Sequence, residues 1–233
     1  MNTQLKNLDI ELNKEQEELF KKYISLFLDY NNKVNLISNN DKAVLFEKHI
    51  YDSLAINLFL KKYEFKKAKI LDIGTGGGFP SLPLSLLNNN LQITAVDSIK
   101  KKINFIEKTA IELNLKNITP ICSRVEDLQE NLKNSFNIVT TRAMADLREI
   151  LEYAIPYIKT SGYFVAYKSL KAEEELENAK NALKLLNTTL IEKIEYTLPI
   201  ENNNRRVLLI FKKNKNIPDS YPRKNGLVKK RPL

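Results

Sequence analysis

Residues 70–80 read Ile-Leu-Asp-Ile-Gly-Thr-Gly-Gly-Gly-Phe-Pro, and this stretch decides the fold of the 233-residue chain. It holds four of the six glycines, placed after a short apolar run. Glycine allows positive φ and lets the backbone come close to a ligand. Pro80 suits the first position of a helix, where its missing N–H would have no partner anyway. The stretch therefore predicts a buried strand, a ligand-binding loop and a helix in succession.

The spacing of these glycines distinguishes two classes of cofactor. A dinucleotide fingerprint has glycine at the first, third and sixth loop positions, but the sixth position counted from Gly74 is Phe79. This disfavours a nicotinamide oxidoreductase. The pattern Asp72-x-Gly74-x-Gly76 instead resembles the nucleotide-binding motif of class I methyltransferases, with Asp72 placed to reach the amino-acid end of S-adenosylmethionine. A glycine-rich turn without a ligand is the alternative.

Asp97 is the second acidic residue expected at this site. It ends the next predicted strand, about 20 residues after the loop, where a carboxylate can accept hydrogen bonds from both ribose hydroxyls. Its alternative role is to cap the following helix, which Ser98 could do equally well. The run Ser123-Arg-Val-Glu-Asp127 follows the third predicted strand, where an adenine would lie, and by itself is a weak signal.

Short apolar runs alternate with amphipathic stretches after residue 67, the pattern of successive βα units. We predict strands at 69–73, 92–96, 118–122, 136–140, 162–166, 190–196 and 206–212. Helices are predicted at 14–31, 41–62, 80–87, 100–113, 146–153 and 172–186. Only a polar turn at 201–204 separates the last two strands, so they should pair antiparallel. The prediction is an α/β, class I methyltransferase Rossmann-like fold with a seven-stranded, mostly parallel sheet and a terminal antiparallel hairpin.

Three regions follow from this organisation. Residues 1–66 form an N-terminal helical cap, 67–213 the catalytic α/β domain that binds S-adenosylmethionine, and 214–233 a basic tail expected to be extended or flexible. From Lys212 onward the chain carries eight basic residues against the single acid Asp219, within a net charge of +9. Such a concentration favours a polyanionic partner. A solvated tail, or a generally Lys- and Asn-rich composition, is the alternative.

The composition bears on disulfides, metal sites and membrane segments. The single cysteine, Cys122, excludes an internal disulfide, and with one histidine it leaves no zinc-ligand cluster, so no metal is expected. No window reaches the roughly 18 apolar residues of a membrane span, and the first residues do not resemble a signal peptide. We therefore expect a cytoplasmic protein without a membrane partner, and a monomer.

Several blocks of sequence resemble one family, the bacterial 16S ribosomal RNA guanine-N7 methyltransferases, also called the glucose-inhibited division protein B family. They occur in family order from about residue 20 to the end. The His-Ile-x-Asp-Ser-Leu and Ser-Arg-Val-Glu blocks are the most specific. The blocks are Asn35-Leu-Ile-Ser38, His49-Ile-Tyr-Asp-Ser-Leu54, Asp72 to Pro80, Asp97-Ser98, Ser123-Arg-Val-Glu126, Thr141-Arg-Ala143, Tyr221-Pro-Arg-Lys224 and Lys229-Lys-Arg-Pro-Leu233.

The resemblance implies roles for individual residues. Carried over by position, the cofactor contacts of the family are Gly74, Phe79, Val125, Glu126 and Arg142. Phe79 would pack beside the cofactor, Val125 and Glu126 would hold the adenine end, and Arg142 would lie beside the methyl-transfer pocket.

Two departures from the family pattern concern packing rather than methyl transfer. Tyr30-Asn31 stands where the family usually has Trp-Asn. Ser81 stands where it usually has Gly, which bears on how the first helix packs on the sheet.

The resemblance also implies a substrate, a guanine N7 in 16S ribosomal RNA or the small ribosomal subunit. N7 carries a free lone pair, so no residue is assigned as acid or base. His49 is expected to make a helix contact. Positioning candidates are Arg124, Arg142 and Lys168, with pairing to Glu126 or Asp127 as the structural alternative for the two arginines. The candidate RNA-binding residues are Lys33, Arg124, Lys212, Lys213, Arg223, Lys224, Lys229, Lys230 and Arg231.

Two other functions are compatible with the residues alone. One is a class I methyltransferase that acts on a small molecule, which would turn over without RNA. The other is a catalytically inactive RNA-binding module on the same fold, which would fail to bind S-adenosylmethionine.

Overall fold

The computed structural model of the protein describes residues 1–142, 144–169, 172–200, 204–224 and 226–233. Its centre is one seven-stranded sheet. The strands are β1 Ala68–Ile73, β2 Leu91–Asp97, β3 Ile118–Cys122, β4 Phe136–Arg142, β5 Ile158–Ser169, β6 Thr188–Thr197 and β7 Arg205–Lys213. They lie in the order β3-β2-β1-β4-β5-β7-β6. The predicted α/β fold is confirmed.

The first five strands run parallel, and β7 pairs antiparallel with both β5 and β6. The terminal hairpin is therefore as predicted, although residues 201–203 of its expected turn lie outside the described ranges. The largest difference in strand bounds is at β5, which begins at Ile158 rather than at residue 162. Ile158 pairs with Phe136, and a register shift follows between Phe136 and Ile138. Pairing with β4 therefore extends β5 before the apolar run that predicted the strand.

Helices cover both faces of the sheet. They are α1 Asn2–Leu5, α2 Lys14–Asn31, α3 Asn39–Lys42, α4 Asp52–Leu54, α5 Ile56–Lys62, α6 Ser81–Leu87, α7 Lys100–Glu112, α8 Leu147–Ala154, α9 Ala172–Asn178, α10 Lys180–Leu185 and α11 Leu227–Lys230. The single helix predicted at 41–62 is wrong, because it is divided into α3, a π-helical turn Phe46–Tyr51, α4 and α5. The helix predicted at 172–186 is likewise divided into α9 and α10.

The N-terminal cap shares its hydrophobic core with the sheet. Phe20, Tyr23 and Phe27 of α2 are fully buried and belong to the same cluster as Ile70 of β1 and Ile106 of α7. The rings of Phe27 and Phe105 meet edge to face at a centroid distance of 5.3 Å, a favourable aromatic geometry. The cap predicted from residues 1–66 is thus packed directly on one face of the α/β domain.

The C-terminal tail is packed on the opposite face, which corrects the expectation of an extended segment. Val228 of α11 is fully buried, and Tyr221 and Leu233 pack against the cluster that includes Ile150 of α8. Arg223 forms an ion pair with Glu152, whose side chain is fully buried. Apolar residues spaced among the basic ones therefore attach this segment to α8. Within the described ranges, no helix combines the length and the apolar composition that a membrane crossing needs.

Candidate active site

A cavity of about 390 Å³ opens at the carboxyl ends of β1, β2, β3 and β4. Ligands of doubly wound α/β proteins bind at this edge of the sheet. The cavity is lined by Ile73, Gly74, Val96, Asp97, Ser98, Ile99, Lys102, Ser123, Arg124, Val125, Glu126, Met144 and Tyr153. The sequence predictions that fall on this lining are Gly74, Asp97, Ser98, Arg124, Val125 and Glu126.

Two backbone N–H groups hold Asp97 in place. The N–H of Gly76 donates to Oδ2 and the N–H of Ile99 donates to Oδ1, each at 2.9 Å. Lys102 Nζ lies 3.9 Å from Oδ2. Asp97 therefore serves the start of α7 and also faces the cavity, whereas Ser98 lines the cavity without capping that helix. Carboxylate oxygens accept more than one hydrogen bond, so Asp97 can still accept from a ribose.

Gly74 forms the floor of the cavity at the end of β1. Its φ is +72°, in the left-handed region, and an added Cβ would lie 2.6 Å from Sδ of Met144. Its N–H and that of Thr75 both donate to the carbonyl of Val96, at 2.9 and 3.0 Å. The loop backbone is thus fixed against β2, and Met144 covers it from the β4 side.

Asp72 lies beneath the loop rather than in the cavity lining. It is buried, and Ser81 Oγ donates to its Oδ2 at 2.6 Å. Oδ1 has no hydrogen-bond partner among the described residues. Burial raises the pKa of Asp72 to about 7, against the opposing effects of Ser81, Thr75 and Arg142. Ser81, noted from the sequence only as a departure from the family pattern, is therefore the group that orients this carboxylate.

Arg142 and Phe79 adjoin the cavity but do not line it. The guanidinium of Arg142 donates to Asp52 Oδ2 at 2.8 Å and to the carbonyl of Lys48 at 3.3 Å, and contacts His49 Nδ1 at 2.9 Å. Its Cζ lies 5.1 Å from the ring centroid of Phe79, a cation–π arrangement. Phe79 itself is only 4% exposed. Both residues, for which the resemblance implies cofactor contacts, also contact the cap.

His49 is neutral in this environment. Burial and the nearby charge of Arg142 lower its pKa to about 4. Because an arginine only donates, the contact with Arg142 makes Nδ1 the acceptor and puts the proton on Nε2. Within the described part of the chain Nε2 has no hydrogen-bond partner. A neutral, buried imidazole tied to Arg142 matches the helix-contact role expected for it.

The segment after β3 forms the opposite wall. Val125, Glu126 and Asp127 make a single 3-10 turn, and Tyr157 donates to the carbonyl of Val125 at 2.5 Å. The side chain of Arg124 is 71% exposed and 3.9 Å from Glu126, which is 12% exposed. Arg124 is thus mostly exposed at the cavity mouth and also within ion-pair distance of Glu126, the structural alternative named for it.

Four other cations predicted at the site are bound within the protein or lie away from the cavity. Lys168, a positioning candidate, is 9% exposed, is bound to Glu175 at 2.6 Å and donates to the carbonyl of Ala145 at 3.1 Å, so it does not line the cavity itself. Lys213 is fully buried and donates to Asn134 and two backbone carbonyls, which removes it from an RNA surface. Lys212 pairs with Tyr163 near the start of β5, at the edge away from the cavity, because β7 runs antiparallel. Arg223 is bound by both oxygens of Glu152.

The remaining predicted cations are exposed. They are Lys33, Lys224, Lys229, Lys230 and Arg231. Seven lining residues are not among the predicted site residues, namely Ile73, Val96, Ile99, Lys102, Ser123, Met144 and Tyr153. Lys102 follows Asp97 by little more than one helical turn and could have been found from that spacing. Met144 and Tyr153 depend on how the chain crosses over after β4, which has no local signal. Ala143 of the Thr141-Arg-Ala143 block lies outside the described residues.

A family model described as rRNA small subunit methyltransferase G (GidB) matches residues 16–206. Proteins named ribosomal RNA small subunit methyltransferase G from Clostridium botulinum strain Eklund 17B and Streptococcus suis strain 05ZYH33 are 38% and 40% identical to this chain. The alignments cover 97% and 96% of this chain and 95% and 94% of those proteins.

A solved structure, M. jannaschii TYW2 in complex with AdoMet, shares the fold at a TM-score of 0.52 and 16% identity, over 65% of this chain and 70% of that one. The resemblance inferred from the sequence blocks is confirmed. The chain belongs to the rRNA small subunit methyltransferase G (GidB) family and is an S-adenosylmethionine-dependent methyltransferase.

Proposed function

We propose that the protein transfers the methyl group of S-adenosylmethionine to N7 of a guanine in 16S ribosomal RNA, free or within the small subunit, acting in the cytoplasm as a monomer. The observation that carries this proposal is the cavity at the ends of β1 to β4, with Asp97 fixed at its edge. It lies inside the region that matches the family model.

The residues present suit this cofactor. A volume of about 390 Å³ falls within the range of small-molecule sites. Asp97 would accept from the ribose hydroxyls, and Val125 and Glu126 would face the adenine. Gly74 permits close approach of the amino-acid end, because a side chain there would meet Met144. The unpartnered Oδ1 of buried Asp72 is an acceptor beneath the same end of the cavity.

The chemistry requires alignment rather than proton transfer. When bound, S-adenosylmethionine supplies an electrophilic methyl group on a sulfonium. Guanine N7 has a lone pair at neutral pH, so the residues need only bring N7 and the methyl group into line. Orientation of this kind contributes up to about 7–11 kcal/mol in favourable intramolecular reactions. The lowered pKa of His49, about 4, fits a site in which it carries no proton to or from the substrate.

The exposed cations favour RNA as the acceptor. Arg124 stands at the mouth of the cavity, and α11 presents Lys229 and Lys230 on the side of α8, whose Tyr153 lines the same cavity. Binding that depends on phosphate contacts weakens steeply with salt. RNA affinity should therefore fall strongly between low and moderate ionic strength while cofactor affinity changes little.

The test is methyl transfer from labelled S-adenosylmethionine to 16S ribosomal RNA that lacks the modification, to small subunits, and to small-molecule acceptors. We expect label in the RNA or the subunit, and chemical cleavage that maps it to a guanine N7. Label in a small molecule alone would favour a small-molecule methyltransferase. If the protein does not bind S-adenosylmethionine at all, it is instead an inactive RNA-binding module.

Deleting the tail would be an unclear test of RNA binding, because deletion exposes Glu152 and the surface covered by Val228. Replacing exposed Lys229 and Lys230 with Gln keeps those contacts. We expect this double variant to weaken RNA binding several-fold, to flatten the salt dependence by up to about two contacts, and to leave the melting temperature unchanged. Unchanged RNA affinity at moderate salt would remove α11 from the RNA surface.

A further inference from the structure

The cap and the sheet are joined by a buried ion pair beside the cavity. Arg142 ends β4, and Asp52 of α4 accepts from it at 2.8 Å, with the two side chains 13% and 8% exposed. The second carboxylate oxygen of Asp52 accepts from Tyr196 of β6 at 2.6 Å. Desolvation makes such pairs poor sources of stability compared with apolar packing. Its place next to the cavity therefore suggests a role in the site.

The pair adjoins the Gly74 end of the cavity. Met144, which lines the cavity and covers Gly74, lies two residues after Arg142. Across the sheet, Ile73, which precedes Gly74, pairs with Thr141, which precedes Arg142. The charge of Arg142 opposes the burial that raises the pKa of Asp72. The cation of the opposite wall, Lys102, is already beside Asp97 at 3.9 Å. Arg142 is therefore a cation at the end where the sulfonium of the proposed cofactor would lie.

We propose that Asp52 is a positioning residue that neutralises Arg142 and fixes its guanidinium, so that the Gly74 end of the cavity accepts a cationic sulfonium. The inference rests on the proposed function, because it concerns the charge of S-adenosylmethionine. Without Asp52, Arg142 would present an uncompensated positive charge to that end. Like charges in a poorly solvated site repel measurably. Tyr196 supports the arrangement by holding the other oxygen of Asp52.

The test compares S-adenosylmethionine with S-adenosylhomocysteine, which has the same shape without the methyl group and the positive charge. Calorimetric titrations at pH 8, above the pKa of about 7 of Asp72, keep that carboxylate ionised. We expect Asp52→Asn to lower the affinity for S-adenosylmethionine about tenfold more than that for S-adenosylhomocysteine. Arg142→Met should shift the ratio of the two affinities in the opposite direction. Tyr196→Phe keeps both charges and should change the ratio by less than about twofold.

Equal losses of both ligands in Asp52→Asn would show a purely structural role and overturn the inference. Thermal unfolding of each variant establishes that it is folded. If Asp52→Asn does not fold, Arg142→Met decides, because an unchanged ratio of the two affinities in that variant contradicts a charge effect. Wild-type protein that binds neither ligand would overturn the proposed function. Wild-type protein that binds both ligands, with a ratio of affinities that the variants leave unchanged, would overturn only the inference about Asp52.

Discussion

The cap and the tail are each attached to the sheet domain by an arginine–carboxylate pair, and the two junctions differ in what surrounds the charges. At the tail, Arg223 uses its backbone N–H, Nε and Nη2 on both oxygens of Glu152, and Nη2 also reaches the carbonyl of Arg231. At the cap, Arg142 is shared between Asp52, a backbone carbonyl, His49 and the face of Phe79.

The comparison shows that two similar arginine–carboxylate pairs can have different roles. The tail pair is closed on itself, so it fixes one segment to α8. The cap pair adjoins the cavity, because Thr141, the residue before Arg142, pairs with the lining residue Ile73. We therefore expect changes at the tail junction to alter folding stability, and changes at the cap junction to alter ligand discrimination.

Arg223→Ala should have the largest effect on stability. Glu152 is fully buried, and removing its partner leaves an uncompensated carboxylate. Unpairing a buried ion pair costs about 3–5 kcal/mol. Chemical denaturation should show a loss of that size, whereas exposed Lys224→Ala should stay within about 0.5 kcal/mol of the wild type. The ratio of affinities for S-adenosylmethionine and S-adenosylhomocysteine should not change. A loss below 1 kcal/mol would mean that the tail junction does not hold the segment.

Lys213, at the root of the tail, should make stability depend on pH. Burial lowers its pKa to about 8 in the folded protein from 10.5. Between these values the unfolded chain binds more protons, so the free energy of unfolding should rise as pH increases from 8 to 9.5, by up to about 2 kcal/mol. Lys213→Met should remove this rise, and Lys212→Met, its neighbour on the same strand, should retain it. Identical pH profiles for the two variants would contradict the assignment.

Two glycines, one in the cavity loop and one in the tail, have similar backbone angles but different surroundings, and replacing them should give smaller effects. Gly74 and Gly226 have φ of +72° and +69°, but an added Cβ meets Met144 only at Gly74 and has nothing within 4 Å at Gly226. Alanine at either position carries a strain of about 1–2 kcal/mol. Gly226→Ala should lose stability alone. Gly74→Ala should also push Met144 into the cavity and weaken S-adenosylmethionine at least tenfold in a binding titration. Equal cofactor affinity in both variants would show that the loop does not touch the ligand.

Much of the fold could be predicted because its signals are local. Each parallel strand is an apolar run bounded by polar turns, and the short polar link before β7 required an antiparallel pair. The failures have tertiary causes. Residues 41–62 contain neither glycine nor proline, so their pattern indicates one helix, yet contacts of His49 and Asp52 with Arg142 accompany the π-helical turn. The tail was predicted to be extended because its apolar residues show no period, and the packing of Tyr221 and Leu233 against the cluster that includes Ile150 of α8 is a tertiary contact.

The cavity was foreseen where its residues follow strands directly. Gly74, Asp97 and Val125 lie at strand ends, and ends of parallel strands meet at one edge. The roles of cations were harder to foresee, because sequence gives a charge without its partner. Lys213 and Arg223 were predicted to bind RNA and Lys168 to position the substrate, but each of the three is bound by side chains or backbone carbonyls of the protein.

The most direct test of the central claim is a calorimetric titration of S-adenosylmethionine into wild-type protein and into Asp97→Asn, with Ser98→Ala as the control on the same lining. We predict one bound cofactor per chain, an affinity at least tenfold weaker for Asp97→Asn because hydrogen bonds to a charged carboxylate contribute about 1.5–3 kcal/mol, and little change for Ser98→Ala. Absence of binding to folded wild-type protein, or equal affinity in the Asp97 variant, would contradict the assignment of this cavity.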